Sequence, residues 1–178
     1  MATQLKNLSE YDSEKLPSTK DMSFGIIVSE WNTEITHALA EGAIKTLKEN
    51  GVDESDIILK HVPGSFELPL GADFLIEYTL VDAVICLGCV IQGETRHFEF
   101  ICNAVANGIS KVSLDSSIPV IFGVLTTDNL QQAKDRSGGK HGNKGVEAAI
   151  TAIKMVNLEN ELIDECDNLD LDFDDMDD

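Results

Sequence analysis

Apolar residues in this chain follow two rhythms that alternate from one end to the other. Short branched runs, Ser23–Ser29 (SFGIIVS), Ile57–Val62 (IILKHV), Val84–Ile91 (VICLGCVI) and Ile118–Leu125 (IPVIFGVL), read as strands buried on both faces. Between them apolar positions recur at helical spacing: Ile35, Leu39, Ala43, Leu47; then Phe74, Leu75, Tyr78; then Phe98, Ile101, Val105, Ile109, Val112; and last Val146, Ala149, Ile150, Ile153, Val156. Asn50-Gly51 stops the first helix. Pro69 is tolerated only in the first turn of the second, which leaves Pro63 to Glu67 in a loop, and Pro119 belongs at the start of the fourth strand. Thr126-Thr127-Asp128 caps a short helix to about Arg136, and a glycine-rich connection, Ser137 to Gly145, leads to the last helix. Regular alternation of strand and helix implies right-handed crossovers. The predicted fold is therefore α/β, a three-layer α/β/α sandwich around a four-stranded parallel sheet.

In such a sheet the C-terminal ends of the strands open onto one crevice, where ligands bind. The third strand is the centre of that arrangement: it runs into Gln92-Gly93-Glu94-Thr95-Arg96-His97, and a helix follows from about 97 to 114. Gly93 lets backbone approach a ligand, Thr95 is a candidate N-cap, and the free N–H groups of the first helical turn suit an anion, with His97 beside them. The other strand ends bring Trp31, the Gly64-Ser65-Phe66-Glu67 turn, Cys89-Val90-Ile91 and the region Phe122 to Thr127 to the same crevice. Together they offer aromatic faces for a planar ring, a carboxylate and hydroxyls for polar groups, and an imidazole for proton transfer. Arg136, by the glycine loop, is a candidate second anion contact.

Each of these residues has a plainer reading. Trp31 suits a lid on the core as well as a stacking platform, Phe122 is half core, and His97 could only line a helix. Arg136 could pair on the surface with Asp135 or Glu147, and Lys140 and Lys144 could simply solubilise a loop. His37 and His61 receive no role.

Charge and cysteines narrow the picture. The net charge is -19, and from Glu159 onward stand eleven Asp or Glu with no Lys or Arg, so residues 159–178 read as a disordered, solvated acidic tail. Residues 1–21 read as a polar arm, and residues 22–158 as the one folded domain. A chain without a basic face is a poor partner for nucleic acid. The absence of a long apolar segment or a secretory leader points away from membranes and towards the cytoplasm. Cys86 and Cys89 mimic a CxxC pair, but residues three apart on a strand face opposite ways, which rules out a shared metal or disulfide. Walker A, zinc-deaminase and G-x-S-x-G patterns are all incomplete.

Four segments in this order resemble one family, lumazine synthase: V-P-G-S-F-E-L-P at 62–69, G-E-T-R-H-F-E at 93–99, P-V-I-F-G-V-L-T-T at 119–127 and G-N-K-G-V-E-A-A at 142–149. The similarity spans about Phe24 to Leu158. It implies a flavodoxin-like fold and a riboflavin-pathway transferase that condenses 5-amino-6-(D-ribitylamino)uracil with 3,4-dihydroxy-2-butanone 4-phosphate, with no metal or organic cofactor. By that resemblance Trp31 matches an aromatic, usually Phe, stacked on the pyrimidine. Ser65, Phe66, Glu67, Cys89, Val90 and Ile91 match segments that hold the pyrimidine and ribityl chain. Glu94, Thr95 and Arg136 match the phosphate grip, His97 the proton-transfer histidine, and Phe122 a pocket wall supplied by a neighbouring subunit; Lys144 is a further candidate. The family forms pentamers, in some members sixty-subunit icosahedral shells, and the resemblance also implies association with riboflavin synthase. The N-terminal arm is expected to lie on an adjacent subunit's sheet edge. A non-catalytic flavin- or lumazine-binding shell or storage protein on the same scaffold is the alternative. Intact His97 and Arg136 argue for the enzyme, and the Ser29-Glu30-Trp31-Asn32 turn lacks the phosphate loop of an electron carrier.

Overall fold

The fold is seen in a computed structural model that describes residues 15–174; most of the N-terminal arm, and its expected contact with a neighbour, lies outside the described residues. Four strands, β1 (Phe24–Ser29), β2 (Ile57–Val62), β3 (Ala83–Ile91) and β4 (Val120–Thr127), form one parallel sheet in the order β2-β1-β3-β4. Helices α1 (Thr33–Glu49) and α5 (Lys144–Asp174) cover one face, and α2 (Leu68–Tyr78) and α3 (His97–Ser116) cover the other. The three-layer α/β/α sandwich read from the alternation is the observed architecture. Central β1 and β3 are hydrophobic almost throughout because both of their faces are covered, whereas edge strand β2 exposes Leu59, Lys60 and His61.

Strand parity distributes the core. Phe24, Ile26, Val28, Ile85, Leu87 and Cys89 point to the α1/α5 layer, and Ile27, Val84 and Cys86 point to the α2/α3 layer. Cys86 and Cys89 thus lie on opposite sides of the sheet, as their spacing predicted. The predicted stripe Ile35, Leu39, Ala43, Leu47 is buried in α1, which ends at Asn50 with Gly51 at φ 98. Thr19 fastens the incoming chain to this end by donating its hydroxyl to Asn50 O at 2.7 Å.

The chain departs from the sequence reading at four places. β4 runs to Thr127, since Ile91 pairs with Thr127 and draws the two threonines into the ladder; the cap of the next helix, α4 (Leu130–Asp135), passes to Asn129, whose side chain accepts from Gln132 N. Thr95 is not the N-cap of α3. That position is Arg96, and the Thr95 hydroxyl accepts from His97 N at 3.4 Å, one step outside the helix. The glycine-rich connection folds as a small antiparallel hairpin, β5 (Ser137–Gly139) and β6 (Gly142–Asn143). Finally, the acidic tail is helical as far as Asp174 rather than unstructured from residue 159. Leu158, Leu162, Ile163 and Cys166 continue the helical spacing of the core stripe there and line a groove beside Leu114 and Ile118.

Candidate active site

A cavity of about 360 Å³ opens at the C-terminal ends of β1, β2 and β3. β1 contributes Trp31 and Asn32 from the turn into α1. Past β2, Gly64 and a single 3₁₀ turn contribute Ser65, Phe66 and Glu67, and from the end of β3 onward come Cys89, Val90, Ile91, Gly93, Thr95, His97, Phe98 and Ile101. Gly88 makes this closeness attainable. A Cβ there would come within 2.7 Å of Ser65 Oγ and 2.9 Å of Leu68, so any larger residue would push the 3₁₀ turn off β3.

The two large aromatics at the mouth are uncovered: Trp31 is 72% exposed and Phe66 57%. Flat faces left open beside an apolar floor of Val90, Ile91 and Phe98 suit a planar ring better than a core role would, so Trp31 is not a lid on the core. At the other side of the mouth α3 begins at His97, whose N–H donates to the Thr95 hydroxyl while Glu99 N donates to Arg96 O, and Gly93 just before it has open space where a Cβ would stand. Burial pushes the Cys89 thiol up to about 11, and Cys86 higher still, so both are neutral fillers and not nucleophiles. Among the described residues no group of three His, Cys, Asp or Glu could hold a metal ion.

The structure brings together nine of the thirteen sequence-predicted residues: Trp31, Ser65, Phe66, Glu67, Cys89, Val90, Ile91, Thr95 and His97. Four stand apart. Glu94 is exposed and does not line the cavity. Phe122 does not reach the crevice: it lies partway along edge strand β4 opposite Cys86, is 37% exposed, and lines a separate groove with Ala106, Ile109, Ser110 and Leu114 of α3. Arg136 and Lys144 meet at the hairpin, held by Lys144 N donating to Arg136 O at 2.9 Å, and both face Glu147. Lys144 Nζ holds one carboxylate oxygen at 3.0 Å, while the Arg136 guanidinium stands 3.7 Å from the other, too far for a hydrogen bond. Lys144 therefore makes the closer contact with Glu147, and Arg136 forms a longer ion pair with the same carboxylate, the pairing offered by its plainer reading. Asn32, Phe98 and Ile101 were not singled out as site residues; the signal for Asn32 was its position between an aromatic residue and the first helical turn.

A family model for 6,7-dimethyl-8-ribityllumazine synthase matches residues 21–160. The chain belongs to that family. Among its relatives, the 6,7-dimethyl-8-ribityllumazine synthase of Cytophaga hutchinsonii is 61% identical over 156 residues, covering 88% of this chain and 98% of that protein. The proteins of the same name from Porphyromonas gingivalis and Flavobacterium johnsoniae are 55% and 57% identical, covering 89% and 87% of this chain and 99% and 82% of their own. The matched stretch, residues 21–160, includes every candidate residue above.

Proposed function

We propose that this chain is a transferase of riboflavin biosynthesis that condenses 5-amino-6-(D-ribitylamino)uracil with 3,4-dihydroxy-2-butanone 4-phosphate at this cavity, giving 6,7-dimethyl-8-ribityllumazine, phosphate and water. The observation that carries the site is that Trp31, His97 and the start of α3 share one cavity wall system, so that a ring, a proton carrier and an anion seat lie together. Trp31 stacks on the pyrimidine, while Ser65 to Glu67 and Cys89 to Ile91 hold its edges and the ribityl chain. Glu94 and Thr95 form the phosphate turn with the first N–H groups of α3. Amine attack on the ketone, loss of water, elimination of phosphate and ring closure all move protons, and His97 relays them. Much of the rate comes from holding two reactants side by side, a contribution of roughly 7 kcal/mol or more.

Arg136 and Phe122 act on a site completed between subunits: neither lines the cavity of its own chain. A pentamer, or a shell of sixty subunits, is the assembly we favour, with Lys144 tuning Glu147 and so Arg136. The enzyme works in the cytoplasm, where free thiols such as the buried Cys86 and Cys89 persist, and riboflavin synthase is its proposed associate.

The test mixes purified protein with both substrates and follows lumazine fluorescence while sizing the same sample. His97→Ala should lower kcat, and Arg136→Ala should chiefly raise KM for the phosphate substrate. Unchanged steady-state kinetics in both variants would overturn the site assignment.

A further inference from the structure

The β1–β3 ladder ends at Val28 pairing with Leu87, and beyond it β1 turns away into α1 while β3 continues for four more residues paired only with β4. The inner edge of that free tip, Gly88 to Ile91, is what the cavity opens onto. One side chain bridges the split. Asn32 donates from Nδ2 to Cys89 O at 2.8 Å, reaching across 57 positions of sequence. Its backbone is left-handed, φ 62 and ψ 46, a conformation that asparagine, aspartate and glycine accept more readily than other residues. As N-cap of α1 its carbonyl accepts from Ile35 N and Thr36 N at 2.9 and 3.1 Å. Yet the side chain makes no capping bond, although capping is the usual reason for an asparagine at this position. The amide is spent instead on the β3 tip.

We propose that Asn32 is a positioning residue for the pyrimidine-like substrate. Its amide clamps the tip of β3, paired with β4 but not with β1, to the residue that follows Trp31, and so sets the gap between the indole and the Cys89–Ile91 backbone into which the flat ring slides. The inference rests on the reading that Trp31 and this backbone hold the ring. It assigns Asn32 no contact with the reacting atoms. With the clamp released, the strand tip and the aromatic face lose their fixed spacing, and binding of the ring weakens while the anion seat at the start of α3 does not.

The test uses two variants that both tolerate the left-handed backbone but lack the donor: Asn32→Asp, of the same shape, and Asn32→Gly, with no side chain. Each is titrated as the full chain with 6,7-dimethyl-8-ribityllumazine, read by quenching of Trp31 fluorescence, and then assayed with each substrate varied in turn. Loss of this one partly buried hydrogen bond should raise the lumazine Kd and the KM for the ribitylaminouracil by about five- to tenfold in both variants, leaving KM for the butanone phosphate within about twofold. An Asn32→Asp protein that binds like the wild type would show that only backbone conformation is at stake, and would overturn the clamp. So would an equal rise in both KM values, or a wild type that binds no lumazine. A wild type that binds lumazine but forms none would instead sink the proposed reaction, while the titration would still read the clamp.

Discussion

The two helical layers that cover the sheet differ in how completely each closes on itself. In the α1/α5 layer the stripes Ile35, Leu39, Ala43, Leu47 and Ala149, Ala152, Ile153, Val156 are all buried and what α1 turns outward is mostly polar, the exposed apolar groups being confined to α5 from Met155 onward. The α2/α3 layer is another matter. Of the twenty residues of α3 only Val105 and Ile109 are buried, while Phe100 is 70% exposed and Leu114 79%; the exposed rings of Phe74 and Tyr78 of α2 meet at a tilt of 47°, and Phe122 of β4 lines a groove with Leu114. A soluble chain rarely leaves so many large apolar groups on one side without something to cover them. The first layer buries its stripes within the chain, and the second leaves large apolar groups uncovered.

Substitutions can break that contrast. The largest effect is expected within the closed layer: Leu39→Ala removes a fully buried side chain, and should lower unfolding free energy by about 3 kcal/mol in a urea titration. Gly145→Ala comes next. A Cβ there would collide with the carbonyl oxygen of Leu39 in α1, so the helix must shift at a cost of roughly 2 kcal/mol. In the open layer, Phe100→Ser should change subunit stability by only about 0.5 kcal/mol yet reduce the assembled fraction in sedimentation, and lower activity with it. Equal destabilisation by Leu39→Ala and Phe100→Ser would erase the distinction between the layers. The smallest effect is chemical: iodoacetamide at mildly alkaline pH should label exposed Cys166 first. Cys102 follows, its thiol raised by burial, while Cys89 and Cys86 stay protected in the folded chain.

Much of this was legible in the sequence, because periods of two and of three to four residues translate directly into buried faces. β2 begins and ends where its pattern says, and the opposite facing of Cys86 and Cys89 follows from parity alone. Residues that follow a strand immediately, such as Trp31 and Ser65 to Glu67, were easy to assign to the crevice because their place depends on one short turn. Phe122 was not. Periodicity gives the face on which it lies but not its height, and height depended on β4 continuing through Thr126 and Thr127 to match the length of β3. Arg136 and Lys144 depend on a hairpin whose glycines carry no hydrophobic signal. The bridge from Asn32 to Cys89 is a tertiary event between loops that no local pattern encodes. In the tail, composition spoke for disorder, while the spacing of Leu158, Leu162, Ile163 and Cys166 spoke for a helix.

That long final helix ends the wrong way round. The negative pole of its peptide dipoles coincides with a terminus where the last turn holds no basic residue, and every charge from Glu159 to Asp174 is negative. Neighbouring carboxylates three and four positions apart add their own repulsion. Ordinary electrolyte weakens both terms, since at about 0.1 M salt charges are screened within about 10 Å. The rod should therefore lengthen in brine and unravel from its tip in dilute buffer, which makes ionic strength the dial that sets how far the chain reaches beyond its own core.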